Sequence, residues 1–325
     1  MSTNSIVPSS SSSAAPVSNS TINLYYNPIT LKHKNVRNTQ HPECPARLTT
    51  TLEILKSKGV IKKCAIKSGR KATVAELLMV HSPAYIKKLL KMERVKSYEK
   101  SEKDYNSIYF NEFTLSAALV SAGMSLCAAQ DLLLTGKPSM VLCRPPGHHA
   151  SYDKASGFCI FNNVILAATL LATHKRVLIF DWDVHHGDGT LQLVSKIPNA
   201  KLITVQRYDH GTFYPGTGGT YKYKNSESIG FSGEMTGKQY LELFHEKVLP
   251  VIHEYNPDVI LLSAGFDTAR GDPMGGCELD PVHYHAMTKK LLEECDGQLI
   301  AFLEGGYFPK AVGHGVNAIL NAFSL

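Results

Sequence analysis

Five titratable side chains follow directly after one short apolar run near the middle of the chain. They are Asp181, Asp183, His185, His186 and Asp188. The run itself, 177–180, has no polar alternation, which is typical of a parallel strand covered on both faces. If the chain stays extended beyond it, alternate side chains point to one side and converge. The sequence therefore predicts a metal site at the carboxyl end of a buried strand.

A second apolar run, 259–263, leads to Asp267 and supplies another carboxylate for this site. Together Asp183, His185 and Asp267 offer two carboxylates and one imidazole, which suit a divalent first-row metal with an open position for water. An Asp-x-His pair alone is weak evidence, because such residues often cap a helix. The predicted ligand set therefore depends on both strand ends.

Two adjacent histidines, His148 and His149, end the segment RPPGHH. Two prolines and a glycine favour a fixed turn that holds neighbouring rings in different directions. Asp181 and Asp188 are not needed as metal ligands, so they are free to accept hydrogen bonds from these rings. An isolated histidine pair is more often a surface feature, but the neighbouring strand ends favour a functional role.

Aromatic residues beside glycines could complete the site. Tyr307 follows Glu-Gly-Gly at the end of a strand, where its hydroxyl could donate to an oxyanion. Phe158 and Tyr214 could line an apolar slot. For each of these residues, an ordinary role in the core is the alternative.

The elements around these residues predict an α/β fold. Apolar strands alternate with helices from residue 140 onward, which indicates a single domain with a mostly parallel central sheet and helices on both faces. Ligands bind at the carboxyl ends of strands in such sheets. The predicted strands span 140–143, 177–180, 202–205, 259–263 and 299–303. The segment 91–111 has no clear period and is predicted to be a long exposed loop.

Composition sets further bounds on the function. The first 23 residues are rich in Ser and Thr and are predicted to form a disordered tail, neither signal peptide nor membrane span, before a domain at 24–325. Residues 1–100 carry 17 Lys and Arg against 5 Asp and Glu, but they are scattered, so no nucleic-acid partner is expected. Seven cysteines without a C-x-x-C pair indicate reduced thiols in the cytoplasm or nucleus.

The segments RPPGHHA, GFCIFNNV, DWDVHHGDGT, AGFDTARGDPMGG and LEGGY, in this order, resemble the zinc-dependent histone deacetylases, especially the class II branch. The resemblance implies the arginase/deacetylase fold and hydrolysis of acetyl-lysine amides in histones or other proteins. It implies zinc, or alternatively ferrous iron, at Asp183, His185 and Asp267. A structural potassium ion is implied at Asp181, Asp183 and His185, with Thr204 and Val205 on the matching strand.

The same resemblance implies a role for each remaining candidate. His149 corresponds to the general base and acid, and His148 to its electrostatic partner. Asp181 and Asp188 orient these rings, and the Tyr307 hydroxyl polarises the carbonyl. The residues expected to line the acyl-lysine slot are Gly157, Phe158 and Tyr214. The partner expected is an acetylated protein or peptide, and membership of a regulatory complex is left open.

Five positions depart from the pattern of the relatives. Asp188 stands where most class II enzymes have Asn, and its charge should make the facing ring more basic. Tyr214 replaces the usual Phe of the slot, and Gln206 replaces a His. Phe113 occupies a rim position, and Met274 stands where the polyamine-specific branch carries Glu.

Two other activities and one non-enzymatic function are the alternatives. An acetylpolyamine deacetylase is disfavoured because Met274 cannot attract a distant ammonium group. A ureohydrolase of the related arginase fold needs further carboxylates for a second metal. An inactive acyl-lysine-binding scaffold predicts a missing ligand or tyrosine, and the sequence has all of them.

Overall fold

The fold is built on a nine-stranded sheet, seen in a computed structural model that describes residues 22–324. The strands are β1 Ile22–Tyr25, β2 Cys64–Lys67, β3 Ser139–Val141, β4 Val177–Asp181, β5 Ala200–Arg207, β6 Tyr221–Tyr223, β7 Ser226–Phe231, β9 Val259–Ala264 and β11 Leu299–Leu303. Their order is β2-β1-β3-β11-β9-β4-β5-β7-β6, and every neighbouring pair is parallel except β6 with β7. Two short strands, β8 Met235–Thr236 and β10 Cys277–Glu278, pair separately.

Eleven α-helices in the described residues connect and cover these strands. They are α1 Ala46–Ser57, α2 Val74–Leu77, α3 Pro83–Val95, α4 Tyr98–Glu102, α5 Thr114–Thr135, α6 Asn163–Leu171, α7 Asp188–Val194, α8 Gly237–Leu243, α9 Leu249–Tyr255, α10 Pro281–Glu293 and α11 Pro309–Ala322. A π-helical turn, Phe244–Val248, joins α8 to α9.

The five strands predicted from the sequence are all present and form the continuous centre of the sheet, β3-β11-β9-β4-β5. They are mostly apolar because both faces are covered. In β4, Leu178 and Phe180 join the core shared with α1, α8, α10 and α11, whereas Val177 and Ile179 join the core shared with α3, α5 and α6. The predicted α/β architecture with helices on both faces is confirmed.

Helix α5 has the length and hydropathy of a membrane span, but 67% of its most apolar window is buried inside the protein. This burial is typical of a core helix. All seven cysteines, each within 22–324, are free thiols.

Two sequence-based boundaries were wrong. The segment 91–111 is not a long exposed loop, because α3 continues to Val95, α4 follows, and Tyr109 and Phe110 are buried. Strand β1 begins at Ile22, inside the segment assigned to the tail, because its four buried residues pair with β2 and β3. The rest of that segment, 1–21, lies outside the described residues.

Candidate active site

The chain turns away from extended geometry directly after β4. Asp181 is the last residue of the strand, and its side chain accepts the N–H of Asp183 at 3.1 Å. Asp183 in turn accepts the N–H of His185 at 2.9 Å. These local hydrogen bonds accompany a bend at 183–185, so the premise of continued extension was wrong. Asp181 therefore faces a different partner from Asp183 and His185.

Asp183, His185 and Asp267 form the candidate ligand cluster. One ligand atom from each lies within 4.8 Å of the others, and all three residues are buried. The His185 Nδ1 atom is 3.0 Å from one oxygen of each carboxylate. Asp267, which follows β9, also accepts the N–H of Val184 at 2.9 Å, so the ends of β4 and β9 are tied together.

The electrostatics of this cluster suit a divalent cation. Burial and the nearby Asp183 carboxylate raise the pKa of Asp267 to about 7. Burial works against the positive form of His185, but its bonds to Asp183 and Asp267 raise the ring's pKa to about 9. The backbone also makes room, because a Cβ at Gly305 would overlap a carboxylate oxygen of Asp267. Two crowded carboxylates beside an imidazole are a donor set that zinc or ferrous iron fits.

The two histidines after β3 each face the aspartate expected from the sequence. His148 Nδ1 is 3.2 Å from Asp181 Oδ2, and His149 Nδ1 is 2.7 Å from Asp188 Oδ1. The two ring centroids are 4.0 Å apart. Both rings are buried, and the His149 ring lies 6.1 Å from that of His185.

Different surroundings drive the pKa values of these two rings apart. Burial opposes the charged form of His148, but Asp183 and Asp181 raise its pKa well above the usual value. Burial and the neighbouring His148 lower the pKa of His149 to about 4, although Asp188 opposes this. Asp188 thus makes the His149 ring more basic, as its charge predicts, but burial and His148 outweigh this effect. The carboxylates thus favour the charged form of His148, whereas burial favours the neutral form of His149.

A narrow slot of about 120 Å³ leads to these groups. Its lining comprises Ser107, His149, Gly157, Phe158, His185, Tyr214, Met274 and Tyr307. A Cβ at Gly157 would overlap the His149 ring, so glycine is needed there. Tyr214 bonds through its hydroxyl to Ser156 Oγ at 3.1 Å. Phe113, expected at the rim, is not part of this lining and lies instead in a groove with Lys34.

Tyr307 brings a phenol to the slot from the end of β11. Its ring packs edge-on against Phe158, with 5.9 Å between centroids, and lies 6.4 Å from the His185 ring. Burial and the carboxylates of Asp267 and Asp183 raise its pKa well above the usual value, so the hydroxyl keeps its proton.

Two other sequence features have structural partners. His186 points away from the cluster and bonds through Nδ1 to Thr217 Oγ1 at 2.9 Å. Gln206 donates to Gly219 O and Ser228 Oγ at 3.1 and 2.9 Å.

Sequence reasoning missed the side chains that hold this site from behind. Arg47 Nε donates to Gly306 O at 2.6 Å, and Glu304 Oε2 accepts the N–H of Gly147 at 2.7 Å and of His148 at 3.1 Å. Asp272 accepts the N–H groups of Tyr307 and Phe308. Glu304 stands inside the segment LEGGY and Asp272 inside AGFDTARGDPMGG. The sequence therefore singled out the segments that contain them, but it did not indicate which groups they contact.

Comparisons with known proteins agree with this arrangement. The family model described as "Histone deacetylase domain" matches residues 41–323. Histone deacetylase 6 of Caenorhabditis elegans is 35% identical over 95% of this chain, and histone deacetylase 5 of Arabidopsis thaliana is 38% identical over 88%. Polyamine deacetylase HDAC10 of Mus musculus is 36% identical over 84%.

The chain spans between about a third and a half of these relatives, at 34%, 46% and 43% of their lengths. A crystal structure of the HDA15 HD domain superposes with a TM-score of 0.87 and 33% identity, covering 94% of this chain and 88% of that one. Family model, relatives and fold agree, and the chain belongs to the histone deacetylase family.

Proposed function

We propose that this chain is a zinc-dependent deacetylase that hydrolyses the acetyl-lysine amide of histone or non-histone proteins. The observation that carries the proposal is the meeting of three groups at the floor of one slot. They are the candidate ligand cluster, the His149–Asp188 pair and the Tyr307 phenol. Amide hydrolysis needs a polarised carbonyl, an activated water and a proton for the leaving amine, and these groups match those needs.

Asp183, His185 and Asp267 would hold zinc, which when bound would supply a Lewis acid to polarise the acetyl carbonyl and to lower the pKa of a water toward roughly 7. His149, neutral at pH 7, takes a proton from the attacking water on Nε2 while Asp188 holds Nδ1–H. The same ring then protonates the departing lysine nitrogen. The Tyr307 hydroxyl keeps its proton and donates a hydrogen bond to the developing oxyanion, and His148, whose charged form is favoured by Asp183 and Asp181, stabilises negative charge nearby.

The slot supports a linear acyl-lysine substrate. Phe158 and Tyr214 can flank the methylenes of a lysine side chain, and Met274 adds an apolar surface. The depth of the reactive groups keeps bulk water away from them, which strengthens each electrostatic interaction.

An acetylpolyamine deacetylase is the second candidate, since relatives named polyamine deacetylase HDAC10 are 34–36% identical. Met274 disfavours it because a thioether offers no charge to a distant ammonium group. An inactive acyl-lysine-binding scaffold would not need the full set of ligands, base and phenol.

Potassium is proposed beside β4, where Asp181 of β4 pairs with Thr204 of β5. The Thr204 hydroxyl donates to Gln206 Oε1 at 3.0 Å, so its oxygen keeps lone pairs for a cation. An intracellular location, cytoplasmic or nuclear, is proposed because the cysteines are free thiols.

Reconstitution tests the proposed activity. The protein is stripped with a chelator, reloaded with zinc or ferrous iron, and assayed with acetyl-lysine peptides and with acetylspermidine. We expect turnover of peptides only after metal is restored, and inhibition by a hydroxamate. Turnover confined to acetylspermidine would support the second candidate, and absence of turnover with every metal would support the scaffold.

A further inference from the structure

One buried carboxylate, Asp272, serves two segments of the slot at once. It lies in the loop between β9 and β10 and is 9% exposed. Its Oδ1 atom accepts the N–H of Met274 at 2.9 Å. Its Oδ2 atom accepts the N–H of Tyr307 at 2.6 Å and that of Phe308 at 3.2 Å. Asp272 belongs neither to the candidate ligand cluster nor to the slot lining, so the proposed chemistry leaves it unused.

Both segments matter for the slot, because Met274 and Tyr307 line it. The loop before Tyr307 is held from its other side by Arg47, whose Nε donates to Gly306 O at 2.6 Å. Arg47 thus binds carbonyl oxygens of this loop, and Asp272 binds its N–H groups. No other side chain in the described residues is recorded as accepting the Tyr307 N–H.

We propose that Asp272 is a positioning residue, which fixes the Tyr307 phenol and the Met274 wall of the slot through a single carboxylate. This inference rests on the proposed function, since the role of Tyr307 in turnover belongs to it. A shift of about 1 Å in a reacting group costs up to about a hundredfold in rate, so small movements of this loop have large effects.

The geometry requires two accepting oxygens. Asparagine has the same shape as aspartate but only one acceptor oxygen, so one of the two segments must face an NH2 group. The substitution Asp272→Asn therefore removes the charge that both segments share and turns an NH2 group toward one of them, without opening a cavity. Burial raises the pKa of Asp272, and the N–H groups of Tyr307 and Met274 oppose that rise by stabilising the carboxylate.

A double-mutant cycle tests the action through Tyr307. We expect Asp272→Asn to lower kcat on an acetyl-lysine peptide by about tenfold, within the range for a displaced reacting group. In the Tyr307→Phe background the same substitution should change kcat by less than about twofold, because a phenol that is absent cannot be misplaced. An equal loss in both backgrounds, or unchanged kinetics of Asp272→Asn, would overturn the proposal.

Hydrogen exchange measures the positioning without relying on activity. The backbone N–H groups of Tyr307 and Phe308 should exchange at least about tenfold faster in Asp272→Asn, because in either orientation of the amide they lose a charged acceptor. Asp258→Asn is the matched control, since Asp258 accepts the N–H of Arg176 at 2.7 Å at the opposite end of β4. That variant should leave exchange at 307–308 and turnover unchanged.

The outcomes separate the two proposals. Exchange that stays slow in Asp272→Asn would overturn the positioning role, whatever the activity. Wild-type protein without turnover would remove the proposed function, while the exchange experiment would still decide the anchoring. If Asp272→Asn fails to fold, Asp272→Glu retains both acceptor oxygens but moves them by one methylene. It should show faster exchange and lower kcat, and wild-type values for both would contradict the proposal.

Discussion

The Nδ1 atom of His149 lies 2.7 Å from a carboxylate oxygen of Asp188, the residue at which α7 begins. Burial would raise the pKa of Asp188, but its bond to His149 lowers that pKa, so the carboxylate stays ionised and accepts the ring proton. This contact fixes the tautomer in which Nε2 carries the lone pair. Asp188 thus determines which ring nitrogen of His149 can act as the base.

Removing His149 should lower turnover more than removing Asp188. His149→Ala should cost about a hundredfold or more in kcat, because the general base is lost. Asp188→Ala should cost about ten- to hundredfold, as expected for a partner that orients a catalytic ring. Asp188→Asn keeps an acceptor for Nδ1–H and should lose less. Peptide deacetylation with circular dichroism as a folding control measures this, and wild-type kcat in Asp188→Ala would contradict it.

Tyr307→Phe should leave the fold intact and reduce kcat by about a hundredfold or more, the cost of losing one oxyanion donor. Within residues 22–324 the phenol makes no side-chain hydrogen bond whose loss would unfold the protein, and its ring contact with Phe158 is kept by phenylalanine. KM for an acetyl-lysine peptide should change little, because the interaction strengthens in the transition state. A large rise in KM at unchanged kcat would show a role in substrate binding instead.

The sequence predicted the centre of this fold because the central strands are covered on both faces. Strands β4 and β11 are apolar at nearly every position, and their carboxyl ends carry the polar residues. The outer strand β7, with the sequence SESIGF, alternates buried and less buried residues and was missed. Its identity as a strand depends on its pairing with β5 rather than on its own composition.

The site was predictable only where its residues followed strands. The buried Glu43 carboxylate binds Arg47 Nη1 at 3.1 Å within the same segment, and it also binds Arg144 Nε at 2.7 Å, 101 residues further along the chain. No local pattern signals such a contact. The low pKa of His149 was equally unpredictable from the sequence. Burial and the His148 imidazole outweigh Asp188, which was the only partner of this ring that the sequence suggested.

Glu304 provides a test of how the histidine turn is held. Among residues 22–324, only its Oε2 atom accepts backbone N–H groups, from Gly147 and His148, and its Oε1 atom has no hydrogen-bond partner there. Glu304→Gln keeps one acceptor oxygen and should retain kcat within about threefold, whereas Glu304→Ala leaves two buried N–H groups unsatisfied. The alanine variant should lose about 2 kcal/mol or more of stability and at least about tenfold in kcat.

Urea unfolding measures the stability of the two Glu304 variants, and peptide deacetylation measures their kcat. Equal losses in the glutamine and alanine variants would show that the charge of Glu304, rather than its acceptor oxygen, is what the site requires. Wild-type behaviour of Glu304→Ala would remove any role for this residue in holding the turn.

A carboxylate at position 274 should redirect the slot toward polyamines. Met274→Glu places a negative charge in the lining, and attraction to a substrate ammonium of about 1.4 kcal/mol corresponds to about tenfold in affinity. We expect the ratio of kcat/KM for acetylspermidine over an acetyl-lysine peptide to rise by about that factor. Met274→Gln is the neutral control of matched shape, and an equal rise in that variant would show that charge is not the cause.

His81 should make stability depend on pH. Its ring is buried, with Nδ1 2.9 Å from Ser151 O and Nε2 accepting the N–H of Asn162 at 3.0 Å. Burial lowers its pKa from 6.5 to about 4, although its hydrogen bonds to backbone carbonyls oppose this. Between these values the unfolded chain binds more protons than the folded one. Its contribution is therefore complete above pH 6.5 and is lost as pH falls toward 4, by up to about 3 kcal/mol.

Urea unfolding of wild type and His81→Gln between pH 7.5 and about 4.5 isolates this contribution. The variant should be less stable at pH 7.5 by about 1–3 kcal/mol, because a buried hydrogen-bond pair is disturbed. Its stability should also fall less steeply on acidification, since the titrating ring is gone. His253→Gln is the control, because that side chain is 86% exposed and should leave the slope unchanged. A wild-type slope in His81→Gln would show that other buried groups carry the whole pH dependence.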